Sequence, residues 1–195
     1  GSLASGDAIS AVTLKYNGSA TVPGTVNAGT YTNGIVASAA TGTGGFNITN
    51  YNIAYSAADL TVNKATLTVT ADNQSRVYGN ANPSLTQTIS GFLNGDTVSV
   101  VSGSATASTT ATASTGAGSA TITARNSGLS AANYNFDTLV DGTLTITARP
   151  ITLAATGQGT TYGTALNLGT SAYSVSAGSL ASGDAISAVT LKYNG

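Results

Sequence analysis

Apolar and polar positions alternate with a period of two along most of this chain, the pattern of strands that bury one face. Over residues 8–16, Val12, Leu14 and Tyr16 fall on one face, and Ala11, Thr13 and Lys15 on the other. That predicts a half-buried strand, bounded by the turn sequences Ser5-Gly6-Asp7 and Asn17-Gly18. A Pro23-Gly24 turn follows, then a second strand over 30–38, a flexible glycine-rich tip at 41–45, and a third strand over 51–55 with Tyr51, Ile53 and Tyr55 in phase. Leu60 and Val62 supply a closing strand within 59–64. The helical period of 3.6 is found nowhere in the chain.

The same alternation runs through residues 66–149. Leu67, Val69 and Ala71 alternate with threonines, Arg76-Val77-Tyr78-Gly79 leads to an Asn82-Pro83 turn, and 85–92 is the next strand candidate. Asn94-Gly95-Asp96 is a tight-turn signal, with Val98 and Val100 expected on one face after it. Residues 102–118 are nearly all small, which reads as a loop or an exposed edge strand. Strands are expected again around Ile122, over 134–136, and at Leu144 and Ile146 beyond an Asp141-Gly142 turn.

Residues 1–18 return letter for letter as 178–195, an offset of 177 residues (178 − 1). A repeat at fixed period decides what counts as a domain, so it outranks any single motif. The expected organisation is the C-terminal part of one module at 1–65, a complete module at 66–149, and the N-terminal part of the next at 150–195. Reading 151–195 and on through 19–65 reconstructs a whole module. The two module types are related in order: Val77-Tyr78-Gly79 matches Thr161-Tyr162-Gly163, the segment 92–96 matches 180–184, and 133–136 matches 50–53.

These matches carry a family resemblance. An early Tyr-Gly turn (Tyr78, Gly79), an Asn82-Pro83 pair with Leu85, a turn through Phe92, Gly95 and Asp96, and the segment Asn133-Tyr134-Asn135 resemble the MBG and YDG repeat domains of giant bacterial surface adhesins. Those domains occur in filamentous-haemagglutinin-like secreted proteins. In the second module the likeness is looser, because Gly163-Thr164-Ala165-Leu166 replaces the Asn-Pro segment. The resemblance implies Ig-like β-rich stalk modules and an extracellular, cell-surface location. It brings no catalytic motif with it.

Composition narrows the chemistry. Charged residues are only 7% of the chain and the formal net charge is −1, with six basic side chains, so nucleic-acid binding has no electrostatic footprint. Apolar runs are too short for a membrane span, so no membrane insertion is expected. Cys, His, Met and Trp are absent, and all seven acidic residues are Asp. Without His, Glu or Cys, nothing suits general acid–base work near neutrality, and a Ser or Thr nucleophile would lack a base. The chain is expected not to be an enzyme, with no catalytic residues, no cofactor and no metal site. Asp7, Asp96, Asp184 and Asp141 sit in Gly-Asp or Asp-Gly turns, where the carboxylate is expected to accept from its own backbone. Asp59 and Asp72 stand apart at module edges, too scattered for a calcium loop. Tyr16, Tyr51, Tyr55 and Tyr134 are in phase with aliphatic positions and are expected in the core with their hydroxyls at the rim.

The fold class expected is all-β, tandem Ig-like β-sandwich modules stacked head to tail. The expected function is a structural repeat of a large extracellular adhesin or biofilm-matrix fibre, a stalk or filament for cell adhesion. The expected partners are neighbouring copies of the same repeat, joined covalently or by strand exchange, with lateral contacts through the uncharged face of residues 104–115. A carbohydrate- or surface-binding adhesin module, contacting a surface or matrix polysaccharide through loops such as 41–45, is the alternative.

Overall fold

The structure is a computed structural model describing residues 1–194; the duplicate at 178–195 ends on Gly195, outside the described residues. It is all-β, with eleven strands and two single-turn 3-10 helices. The strands form four small sheets: β1 (Ala8–Lys15), β2 (Gly29–Thr43) and β3 (Ala58–Val62) in that order; β6 (Gln87–Ser90), β4 (Ala65–Ala71) and β8 (Tyr134–Val140); β5 (Gln74–Val77), β9 (Gly142–Thr147) and β7 (Gly118–Ile122); and β10 (Ile151–Ala155) with β11 (Tyr173–Gly178). By contacts the chain divides into two compact units, Gly1–Thr68 with Ile89–Ala105 and Asn126–Thr138, and Val69–Thr88 with Thr106–Arg125 and Leu139 onward. The division falls inside β4, β6 and β8.

In the first unit β2 serves two neighbours. Its first half runs antiparallel to β3, with Thr30 opposite Thr61 and Tyr31 opposite Leu60; its second half runs antiparallel to β1, with Ser38 opposite Thr13. Each ladder contains a bulge at a non-glycine residue of positive φ, Asn33 (+55°) and Ala39 (+51°). Both bulges are tied from outside: the Asn33 amide donates to Asp59 Oδ1 (2.9 Å) and the Ala40 amide to the Tyr55 hydroxyl (2.9 Å). Asp59, unassigned in the sequence, thus shapes a strand.

The second unit holds the main hydrophobic cluster, Ala71 of β4, Ile122 of β7, and Leu144 and Ile146 of β9, with Ala107, Ala111 and Ala124. The alternation in β4 and β9 appears as expected, every second residue buried. β9 pairs on both edges, parallel to β5 (Gln74 opposite Leu144, Arg76 opposite Ile146) and antiparallel to β7 (Gly118 opposite Ile146, Ala120 opposite Leu144).

Five local expectations are corrected. Residues 51–55 are not a strand, because an alternating sequence needs a ladder partner and none reaches them among the described residues. Residues 41–43 are not a flexible tip: they lie in β2, paired to β1 at Ala8 and Ala11. Val98 and Val100 do not share a strand face but belong to a 3-10 turn, Val98–Val100, whose N-cap Thr97 accepts from the Ser99 amide. Residues 104–115 form no continuous strand face: only Ser108 bridges Thr123, while Ala107 and Ala111 are drawn into the core. Finally, β1 forms, yet Val12 and Leu14 remain exposed instead of half-buried.

Candidate functional site: tyrosine latches and junction clefts

The Gly-Asp turns are built alike. The amide of Asp7 donates to Ala4 O (3.0 Å), that of Asp96 to Leu93 O (2.9 Å) and that of Asp184 to Ala181 O (3.1 Å). The carboxylates do not accept from their own turns as expected: each takes a tyrosine hydroxyl. Tyr51 donates to Asp7 Oδ2 (2.5 Å) and Tyr134 to Asp96 Oδ2 (2.7 Å), while Tyr78 donates to Asp184 Oδ1 (3.1 Å). In the first two turns the tyrosine oxygen also accepts an amide at the equivalent position, Ala4 (2.9 Å) or Leu93 (3.0 Å). A ring beside each completes the latch, Phe46 stacked on Tyr51 with centroids 5.3 Å apart and Phe92 edge-on to Tyr134 at 5.8 Å. Asp141 also looks outward from its turn, accepting from the Ala124 amide (2.9 Å).

The latch was legible as a repeat, since a Gly-Asp turn and an Asn-Tyr-Asn segment recur in both modules; taken singly, neither shows that Tyr and Asp meet. Of the tyrosines expected in the core, Tyr134 is buried, Tyr16 and Tyr51 are half-buried, and Tyr55 is exposed. Asp72 is engaged locally by the hydroxyls of Thr86 (2.7 Å) and Thr88 (2.9 Å). Among the described residues no cluster of three or more acidic side chains could hold a metal ion.

The hydroxyl of Tyr51 is held above its usual 10.0 chiefly by its bond to the Asp7 carboxylate, and that of Tyr78 by its bond to Asp184. For Tyr134 the Leu93 amide pulls the other way, and burial with the Asp96 bond outweighs it, so the net direction is again upward. A raised folded value means that the neutral phenol is favoured by folding, so this stability is full below the unfolded pKa near 10 and lost as pH rises through the folded values. We expect urea midpoints to be level between about pH 7 and 9 and to fall above about 10. Tyr134→Phe should lower the neutral midpoint and flatten the alkaline decline. An alkaline decline as steep in that variant as in the parent would remove Tyr134 from the effect.

Two clefts are lined by residues from both sides of the expected module boundaries. In the first unit a cavity of ≈140 Å³ is lined by Ala28, Val62, Asn63, Leu93, Asp96 and Tyr134. Here Asn133 accepts from the Ala28 amide at Oδ1 (2.9 Å) and donates from Nδ2 to Asn27 Oδ1 (3.0 Å), while Asn94 Nδ2 donates to Gly24 O (3.0 Å). In the second unit a cavity of ≈300 Å³ is lined by Tyr78, Arg149, Ile151, Leu180, Ala181 and Asp184. Gly79, at φ +83°, abuts Ala181 so closely that an added Cβ would lie 2.5 Å from the Ala181 Cβ. The tyrosine and glycine of the Tyr-Gly turn therefore meet the Gly-Asp turn at 181–184, one by hydrogen bond and one by close approach.

Residues 67–145 match the protein-family model of the MBG domain, YGX type. The middle of this chain is an MBG domain. Its Tyr-Gly pair is Tyr78-Gly79, the pair that meets Ala181 and Asp184 here. No curated protein and no solved structure matches the chain. The MBG domain points to a surface protein of adhesin type. Among the described residues no helix is long and apolar enough to cross a membrane.

Proposed function

We propose that this chain is a structural segment of a long extracellular bacterial surface protein, a stalk or filament in which MBG-type and YDG-type modules are stacked head to tail as Ig-like units. Its role is mechanical, spacing an adhesive part from the cell or forming the fibre itself, and it takes no part in catalysis. The observation that supports this reading most is that both junctions use residues of the turn and Asn-Tyr-Asn motifs themselves. Tyr78, Gly79 and Asp184 make one junction; Asn94 and Asn133 make the other. A binding module would spend such residues on a ligand surface, whereas a stalk spends them on its neighbour. Neighbouring copies of the repeat are the partners.

Electron microscopy of the native surface material tests this. A strand of eight to ten residues rising about 3.3 Å each sets a module near 30 Å, so rods should show an axial period of roughly 60 Å per two-module repeat. Compact, isolated particles without that period would overturn the reading.

A further inference from the structure

The chain presents one complete MBG domain and two partial modules, and equivalent strands in the three differ in what covers them. β3 corresponds to β9 in register: Gly29, Thr30 and Tyr31 stand opposite Val62, Thr61 and Leu60, as Gly118, Ser119 and Ala120 stand opposite Ile146, Thr145 and Leu144. β9 has β5 on its second edge, whereas β3 ends its sheet and has no strand on that edge among the described residues. The sequence equivalent of β5 is 158–161, since Gln74-Ser75-Arg76-Val77-Tyr78-Gly79 matches Gln158-Gly159-Thr160-Thr161-Tyr162-Gly163. None of these residues lies in a strand, and Tyr162 is fully exposed. Counting back from the shared Tyr-Gly, Ile151 and Leu153 of β10 correspond to Leu67 and Val69 of β4. The β4 pair is 0% exposed and the β10 pair 37%.

The Gly-Asp turns differ in the same way. Ala181, under Gly79, is 7% exposed, while its equivalent Leu93 is 54% exposed. Asp7 and Asp96 accept their own module's tyrosine at Oδ2, but Asp184 accepts the preceding module's tyrosine at Oδ1. The two modes use different oxygens, so one carboxylate can hold both tyrosines at once.

We propose that residues 151–162 of a second copy of this chain complete the sheet around residues 19–65, with 158–161 adding as a parallel strand to the free edge of β3 and Tyr162 donating to Asp96. The register follows from β5 on β9: Gln158 faces Leu60, Gly159 faces Thr61 and Thr160 faces Val62. Tyr162 then enters the cavity lined by Leu93 and Asp96 as Tyr78 meets Ala181 and Asp184, and Gly163 leaves room for Leu93. β10 comes to lie beside residues 51–55, which turn into a strand once they have a partner, as β8 is beside β4. The duplicated octapeptide shows the same dependence on a partner. Residues 8–15 are a strand against β2, while the identical residues 185–192 are not a strand. The occupant is a second copy because only the repeat carries the matching sequence. The proposal rests on the stalk reading and adds the register of the joint.

The chain has no cysteine, so trapping by introduced thiols is unambiguous. Thr61 and Gly159 are exposed, and nothing lies within 4 Å of a Cβ at Gly159, so Thr61→Cys and Gly159→Cys chains should fold. Mixed in equal amounts under mild oxidation, the two should give disulfide-linked heterodimer about tenfold or more faster than either alone, because pairing raises the effective thiol concentration. Adding Tyr162→Phe to the Gly159→Cys chain should slow trapping several-fold. Heterodimer no faster than either homodimer, or equally fast when Gly157→Cys replaces Gly159→Cys, would overturn the proposal. That result leaves the rod period intact, so the joint and the stalk can fail separately.

Discussion

An Arg76→Ala chain should lose about 1–3 kcal/mol of stability, one of the larger losses available to a single substitution here. Arg76 is a buried charged residue at the edge of an alanine-rich core. Its guanidinium spends its donors on acceptors that no ladder satisfies: Nε on Asn82 Oδ1 (2.8 Å), Nη1 on Val77 O (3.4 Å) and Nη2 on Thr112 O. Asn82, held by that bond, donates in turn to Ala111 O (2.6 Å). One side chain thereby ties β5 and the Asn82-Pro83 turn to the irregular segment at 111–112. Truncation takes the donor from Asn82 Oδ1, while Val77 O and Thr112 O keep the Asn80 and Thr115 amides (3.1 and 2.9 Å). An acceptor left unpaired costs about 1–3 kcal/mol, offset where water enters, and the lost packing of the side-chain stem adds to it. Lys should rescue only part of the loss, since an ammonium cannot span the fork of a guanidinium. Urea unfolding followed by far-UV circular dichroism or tyrosine fluorescence reads the shift; the chain has no tryptophan. A loss below about 0.5 kcal/mol, the usual range for surface sites, would show that water replaces the guanidinium at no cost.

That buried arginine could not be read from the sequence, where Arg76 was one residue of a lead into a turn. Its partners lie at 82 and at 111–112, and no period links them. What could be read was local and self-consistent. Leu67, Val69 and Ala71 alternate and become β4, and Leu144 and Ile146 become β9, because each strand finds its partners inside the MBG domain. Residues 51–55 alternate as well and stay out of the sheets. Periodicity records which faces a strand would bury, and the hydrogen bonds that make it a strand come from elsewhere. Val98 and Val100 failed for the opposite reason, since Thr97 and Ser99 offered the backbone a local 3-10 turn that competes with pairing. In residues 102–118 low complexity hid a core contribution: Ala107 and Ala111 are buried members of the main cluster, and a run of small residues carries no alternation to show which of them face inward. The latches lay between these cases. Their parts were visible as repeated motifs, but the pairing of Tyr134 with Asp96 required the fold.

Leu144→Ala should cost about 2–5 kcal/mol, toward the upper end of that span. Leu144 is wholly buried, and its cluster is otherwise mostly alanine with Ile122 and Ile146. Alanines have no rotamers with which to fill a space, so the cavity left by the isobutyl group persists and its cost is retained in full. β9, paired on both edges, cannot shift to close it. The lost stability should appear as a lower urea midpoint at unchanged slope, because the area exposed on unfolding hardly changes. Leu60 is the equivalent residue of β3, half-buried and on a strand with one free edge. Leu60→Ala in the isolated chain should therefore cost less than Leu144→Ala, and its cost should rise toward that of Leu144→Ala once the Thr61–Gly159 cross-link seats a second copy on β3. Equal costs in the free chain would mean that the core around Leu60 is already closed, and would remove the reason for β3 to recruit a neighbour.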